Sequence, residues 1–164
     1  MATSQLAVER FKVVSARSFD EVLAGLGKGI GRPDMSMLRK QMSEANSIVE
    51  LQKLVDGVVG SADLMEFLRL DLGSVMRKDP KAKAYRIVRI IAGNPLIMEK
   101  MVEHVPDAGS YAPVTALVYE APDGVHLAYD TMSSYLASYG NEAALKVARE
   151  LDRKVIKLLN ESAA

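Results

Sequence analysis

The chain has 164 residues, of which 49% are apolar and 26% charged, with 21 basic against 21 acidic side chains and no cysteine. That is enough chain to bury a core without staples, and the lack of cysteine excludes disulfides, thiolate nucleophiles and thiolate metal sites. Balanced charge argues against a nucleic-acid binder, which normally carries a basic excess or stripe, and against strong attraction to anionic membranes.

Met1–Lys12 lacks the apolar h-region of a signal peptide. No segment approaches the roughly 18 consecutive apolar residues of a spanning helix. The expectation is a cytoplasmic protein. Arg10–Ala16 places Phe11 and Val13 on one face and Lys12 and Val14 on the other, the alternation of a half-buried strand. Ser18 followed by Glu21 has capping-box spacing and opens a helix from about Phe19 to Leu26. That helix is expected to fade through Gly25, Gly27, Gly29 and Gly31 into a flexible connector. The glycine run lacks the Gly-Lys-Ser/Thr ending of a phosphate loop. Between Arg32 and Val59 the spacing predicts a helical hairpin with a break at Asn46–Ser47. Leu38, Met42 and Ala45 share one face of it, and Ile48, Leu51, Leu54 and Val55 another.

Leu64–Leu72 fits strand alternation and helical spacing equally. Asp79–Pro80 marks a turn, and Tyr85–Ala92, rich in β-branched residues, reads as a strand. Asn94 followed by Pro95 has the form of an N-cap and first helical position for a helix reaching about His104, with Gly93 turning the chain out of the strand. A helix N-terminus also seats anions, so this junction is a cap, a ligand site or both.

Pro113–Glu120 and Val125–Tyr129 flank Ala121-Pro-Asp-Gly124, read as a type I turn with a glycine bulge. The expected register sets Ala121 opposite Val125 and Glu120 opposite His126, with Leu117, Tyr119, Val125, Leu127 and Tyr129 facing the core. Ala116, Val118 and Ala128 then form a small apolar face suited to a homodimer contact. Thr131–Tyr139 predicts a short helix ended by Gly140. Asn141 caps a closing helix with the stripe Ala144, Val147, Ala148, Leu151, Val155, Leu158 and Leu159. Strand, helices, then strands with interspersed helices make a single α+β domain over residues 1–164.

No serine sits in a Gly-x-Ser-x-Gly elbow, and His104 and His126 lie in no motif context. Glu99, Glu103 and His104 have the spacing of an ordinary helix surface, so no metal or cofactor is expected. Asp71, amid apolar residues, suits capping of the following turn or proton transfer. Tyr111, Tyr119, Tyr129, Tyr135 and Tyr139 crowd the last third of the chain, a cluster suited to a ligand pocket or to a partner subunit.

Asp71, the strand ending Ile90-Ile91-Ala92-Gly93-Asn94-Pro95, Pro113, Val118-Tyr119-Glu120, Asp123-Gly124 and Tyr129-Asp130 together resemble the domain of unknown function family 302. The likeness is best over residues 64–139 and looser over 10–30. It implies a two-layer α+β fold like that of the TATA-box-binding protein, an antiparallel sheet with helices, often paired as a dimer. It also implies a strand over 64–70 followed by a short helix from about Leu72, and marks 31–62 as a helical insertion and 141–160 as a C-terminal helix. No reaction comes with it, because the family has none assigned. Gly93 stands where many members carry cysteine, so a thiol-based role has no counterpart here.

The functional expectation is a non-enzymatic, self-associating cytoplasmic module that binds a small ligand in a sheet–helix crevice. Its candidate residues are Asp71, Gly93, Asn94, Tyr111, Tyr119 and Tyr129, with no metal, cofactor, nucleic-acid or membrane partner. Two other readings stand beside it. One is an enzyme using Asp71, Glu120 and His126 for proton transfer; the other is a structural protein docking partners through the helical segment 31–62.

Overall fold

The computed structural model describes residue 3, residues 5–83 and residues 85–164. The capping box at Ser18 is formed: its hydroxyl accepts from the Glu21 amide, and the Glu21 carboxylate accepts from the Ser18 amide at 2.9 Å. This starts α1 (Phe19–Gly29), which does not fade at its glycines. A Cβ on Gly25 would stand 3.0 Å from the Cα of Ser162, and one on Gly29 would stand 2.4 Å from a Leu158 methyl. One turn apart, these two positions form a smooth strip on which the closing helix α7 (Glu142–Ala163) lies. Close helix packing, rather than a frayed end, explains Gly25 and Gly29. Ser18→Ala is expected to cost about 1 kcal/mol, read as a lower urea midpoint.

The sheet contains β1 (Arg10–Ser15), β2 (Ile30–Gly31), β3 (Leu64–Asp71), β4 (Ile87–Gly93), β5 (Val114–Ala121) and β6 (Gly124–Asp130). Their order is β1-β6-β5-β4-β3-β2. Neighbours are antiparallel except for the two-residue β2, which runs parallel to β3 and makes the sheet mixed. The ambiguous segment is strand β3, whose register shifts between Glu66 and Leu68, followed by the single turn α4 (Gly73–Met76). Tertiary pairing with β4 decides what local periodicity left open.

The helical hairpin is α2 (Met35–Glu44) and α3 (Ile48–Asp56), capped by Asp34 and Ser47. Asn94 begins α5 (Pro95–Val102), and α6 (Met132–Leu136) follows β6. Helices α1, α5, α6 and α7 cover one face of the sheet, giving a two-layer α+β fold. Phe19, Val22 and Leu26 from α1 meet Ile90, Val118 and Leu127 from the strands and Leu151 and Val155 from α7. Each such buried side chain contributes about 1.5–3 kcal/mol relative to exposure. A second, small cluster joins Leu38 and Val55 of the hairpin to Met65. Met65 pairs with Gly93 and so points away from the main core. The hairpin therefore covers one end of the opposite face and leaves the rest open.

The β5–β6 hairpin departs from the expected register by one residue. Ala121 pairs with Gly124, Glu120 with Val125 and Tyr119 with His126, because the loop is only Pro122–Asp123. Gly124 takes φ 137° to make that tight return, a conformation open to glycine. A one-residue slip exchanges the faces of one strand relative to its neighbour. Val114, Ala116 and Val118 face the core with Val125, Leu127 and Tyr129, while Leu117 and Tyr119 face outward. Ala116 and Val118 thus lie beneath the helices and present no dimer surface. Glu120 does not meet His126.

Candidate functional site

The open face carries a continuous cross-strand row. Lys12 pairs with Ala128, Ala128 with Leu117, and Leu117 with Arg89. Side chains along such a row project the same way, so two cations flank an apolar floor of Leu117 and Ala128. Three inter-strand steps separate Lys12 from Arg89, about 14 Å. A cavity of about 570 Å³ lies over this floor. Neither Lys12 nor Arg89 has an ion-pair partner among the described residues. Among the described residues the Arg89 guanidinium donates only to the Thr115 hydroxyl, at 3.3 Å. Arg10, on the cavity rim, is neutralised by a bidentate pair with Asp130 at 2.5 and 2.7 Å. That pair holds the Asp130 carboxyl below and the Arg10 guanidinium above their ordinary values.

Aromatic rings close the two ends. Toward the hairpin stands Tyr119, stacked on His126 at 4.9 Å between centroids. At the other end Tyr111 and Tyr135 stack at 4.6 Å with only 10° between their planes. Burial, with the nearby Asp130 charge, pushes the Tyr135 phenol up. The Tyr111 hydroxyl bonds the Tyr139 hydroxyl at 3.1 Å, and Tyr139 donates to Asp107 at 3.0 Å. Tyr129 borders the cavity but is 1% exposed. Its hydroxyl donates to Asp152 at 2.6 Å, and burial followed by the Asp152 charge raises its pKa.

The remaining candidates lie elsewhere. Gly93 and Asn94 line a second cavity of about 310 Å³ on the far side of Pro113 and Val114, which border both cavities. A Cβ on Gly93 would meet that of Pro113 at 3.1 Å, so close packing of the β4 end is one reason for glycine there. The Asn94 Oδ1 accepts from the Leu96 amide at 2.9 Å, which makes it the N-cap of α5. Its Nδ2 donates to the Asp63 carbonyl at 3.2 Å and to the Asp63 carboxylate at 2.9 Å. Asp71 is exposed at the end of β3 and caps the turn after it, accepting from the Ser74 amide at 2.9 Å and from Arg77 at 2.7 Å. The Arg77 hydrogen bond holds its carboxyl below the usual range.

The proposed proton-transfer trio does not converge. Asp71 and His126 belong to strands three apart in the sheet, about 14 Å. The Glu120 carboxylate accepts from the Arg86 amide at 3.2 Å, and His126 Nε2 pairs with Asp123 at 2.7 Å. The His126 hydrogen bond lowers the Asp123 carboxyl. Among the described residues no group of three or more His, Asp or Glu is placed to hold a metal ion. No helix among them is long and apolar enough to cross a membrane. On the helical hairpin Leu38 is 2% exposed, and the exposed apolar residues are Met37, Ile48 and Val49.

Sequence reasoning missed Asp152, 6% exposed on the buried side of α7. Its carboxylate accepts from Tyr129 and from the Met132 and Ser133 amides, at 2.6, 2.7 and 3.0 Å. It caps α6 from another helix, because Thr131 makes no side-chain cap of its own. The signal was an acid within the apolar spacing of Ala148, Leu151 and Val155. Through α6 it positions Tyr135 in the cavity wall.

The family model described as "Domain of unknown function DUF302" matches residues 38–162. The fold is similar to the crystal structure of an uncharacterised conserved DUF302 protein from Bacillus stearothermophilus. That likeness has a TM-score of 0.63 at 9% identity, over 93% of this chain and 96% of the other. No curated protein matches the chain.

Proposed function

The chain belongs to the DUF302 family, and from that premise we propose that it is a cytoplasmic binding module. Its ligand is a small anion with an aromatic or apolar body, held in the cavity on the open face of the sheet. One observation carries this reading: Lys12 and Arg89, without carboxylate partners among the described residues, flank the apolar floor of Leu117 and Ala128 between tyrosine walls. A ligand with an acidic group gains charge-assisted hydrogen bonds, each worth about 1.5–3 kcal/mol. Its ring system covers Leu117 and stacks with tyrosine.

The test is titration with 8-anilinonaphthalene-1-sulfonate, an aromatic anion. Saturable binding that weakens with added salt is expected, and Lys12→Ala with Arg89→Ala should weaken it at least about tenfold. Both side chains are exposed, so melting should hardly change. Equal affinity in the double variant rejects the reading.

Self-association has a separate support. Among the described residues strand β1 ends the sheet with one side unpaired; Val14 on it and Val8 before it are 47% and 42% exposed. A second copy pairing along β1 would continue the sheet about a two-fold axis. Sedimentation should show a dimer at high micromolar concentration; a monomer there rejects it.

A further inference from the structure

We propose that the cavity of about 310 Å³ behind Pro113 and Val114 is a second, independent binding site, for an uncharged apolar small molecule. Its walls are Met42 from α2, Phe67 from β3, Ile97, Met98 and Met101 from α5, and Leu151 from α7. The volume lies at the lower end of the roughly 300–1,000 Å³ of small-molecule pockets. It exceeds the roughly 150 Å³ in which an all-apolar cavity in another protein holds benzene. Thioethers from three methionines let the wall adapt to a ring of unspecified outline.

The absence of charge in the ligand follows from how the α5 terminus is used. Helix N-termini attract anions when their first amides are free. Here Pro95 has no N–H, and the Leu96 amide is taken by Asn94 Oδ1. The Ile97 and Met98 amides both go to the Asn94 carbonyl, at 3.1 and 3.0 Å. The Asn94 amide nitrogen is spent on Asp63. An anion placed here would shed its hydration and find each of these donors already taken, whereas a hydrocarbon loses nothing on entry. The two cavities therefore differ in chemistry: cations and tyrosines on the open face, thioethers and hydrocarbon behind the wall.

Naphthalene is the probe, read by NMR of isotope-labelled methionine methyls in the full chain. The methyls of Met42, Met98 and Met101 should shift together and saturate. Met37, 60% exposed, and Met132, on the border of the other cavity, should stay in place. Met98→Trp, which fills the space, should lower affinity at least about tenfold. If that variant fails to fold, the methyl map of the unaltered chain decides alone. Lys12→Ala with Arg89→Ala should bind naphthalene as the parent does, so this proposal and the anion site stand or fall separately. Absent or unsaturable shifts, shifts centred on Met132, or affinity lost in the double variant overturn it. So does a shift of the three methyls with protein concentration alone, which would give the space to a second copy.

Discussion

Asn94→Asp is expected to destabilise the protein by about 3 kcal/mol, at least as much as Asn94→Ala, although aspartate is as good an N-cap as asparagine. The cap uses only the side-chain oxygen. The other half of the amide donates to both the carbonyl and the carboxylate of Asp63, whose other oxygen pairs with Lys154 at 2.5 Å. Alanine loses a cap of about 1 kcal/mol and takes the amide donor from a half-exposed Asp63 that keeps its Lys154 partner. Aspartate keeps the cap but sets a carboxylate against a carboxylate at a residue only 6% exposed. The pH dependence separates the two. Repulsion raises the introduced carboxyl above its unfolded value near 3.9, so the penalty is full above the folded pKa and fades as pH falls toward the unfolded one. Urea unfolding between pH 7 and 4 should show Asn94→Asp recovering relative to the parent and Asn94→Ala not recovering. An aspartate variant as stable as the parent at pH 7 would show that the Asp63 contact carries no weight.

Asp152 should be costlier still. Asp152→Ala leaves the Tyr129 hydroxyl and the Ser133 amide without an acceptor, and leaves the Met132 amide only its longer bond to the Tyr129 oxygen at 3.3 Å. At about 1–3 kcal/mol for each buried donor, a loss of about 4–5 kcal/mol is expected. Asp152→Asn, which keeps one acceptor oxygen, should cost about 2 kcal/mol and also loosen Tyr135 in the cavity wall. The partner can be read through pH. Burial, and then the Asp152 charge, raise the Tyr129 pKa above its ordinary value. Its contribution is therefore fully present below about pH 10, the unfolded value. It declines above that by about 1.4 kcal/mol per pH unit. Tyr129→Phe should flatten the alkaline stability curve by that slope. An unchanged slope would mean that the phenol ionises in the folded state as freely as in the unfolded chain.

The sequence marks most clearly the places where one short-range hydrogen bond decides the structure. Ser18 with Glu21, Asn94 with Pro95, and Asn141 all begin the helices that their spacing announces. The β5–β6 register was less legible because it turns on whether Gly124 belongs to the loop or to the strand. A single hydrogen-bonded pair, Ala121 with Gly124, settles that and turns Val118 inward. Gly25 and Gly29 read as breaks because their value lies in a helix that ends the chain, out of reach of any local window. Asp152 stood out only as an acid amid apolar positions, with nothing local to show its role, since its three donors come from β6 and α6. Of the open-face site, the tyrosines were visible as a cluster. Lys12 and Arg89 were not, because only the order β1-β6-β5-β4 aligns them in one row.

Among the described strands, β1 is made first and its one neighbour, β6, is made last. The Arg10–Asp130 pair spans 120 residues, and the Ser15 hydroxyl bonds the Ala163 carbonyl across 148. During synthesis, then, β1 and the glycine strip of α1 emerge long before anything exists for them to pair with. Closing so long a loop costs entropy before any contact repays it, and contacts so distant in sequence slow folding. Until β6 emerges, both edges of β1 stand exposed, and Phe11 and Val13 stay uncovered until α7 packs on them, the condition in which nascent chains aggregate. A ribosome stalled before β6 therefore carries a first strand with no neighbour to pair with.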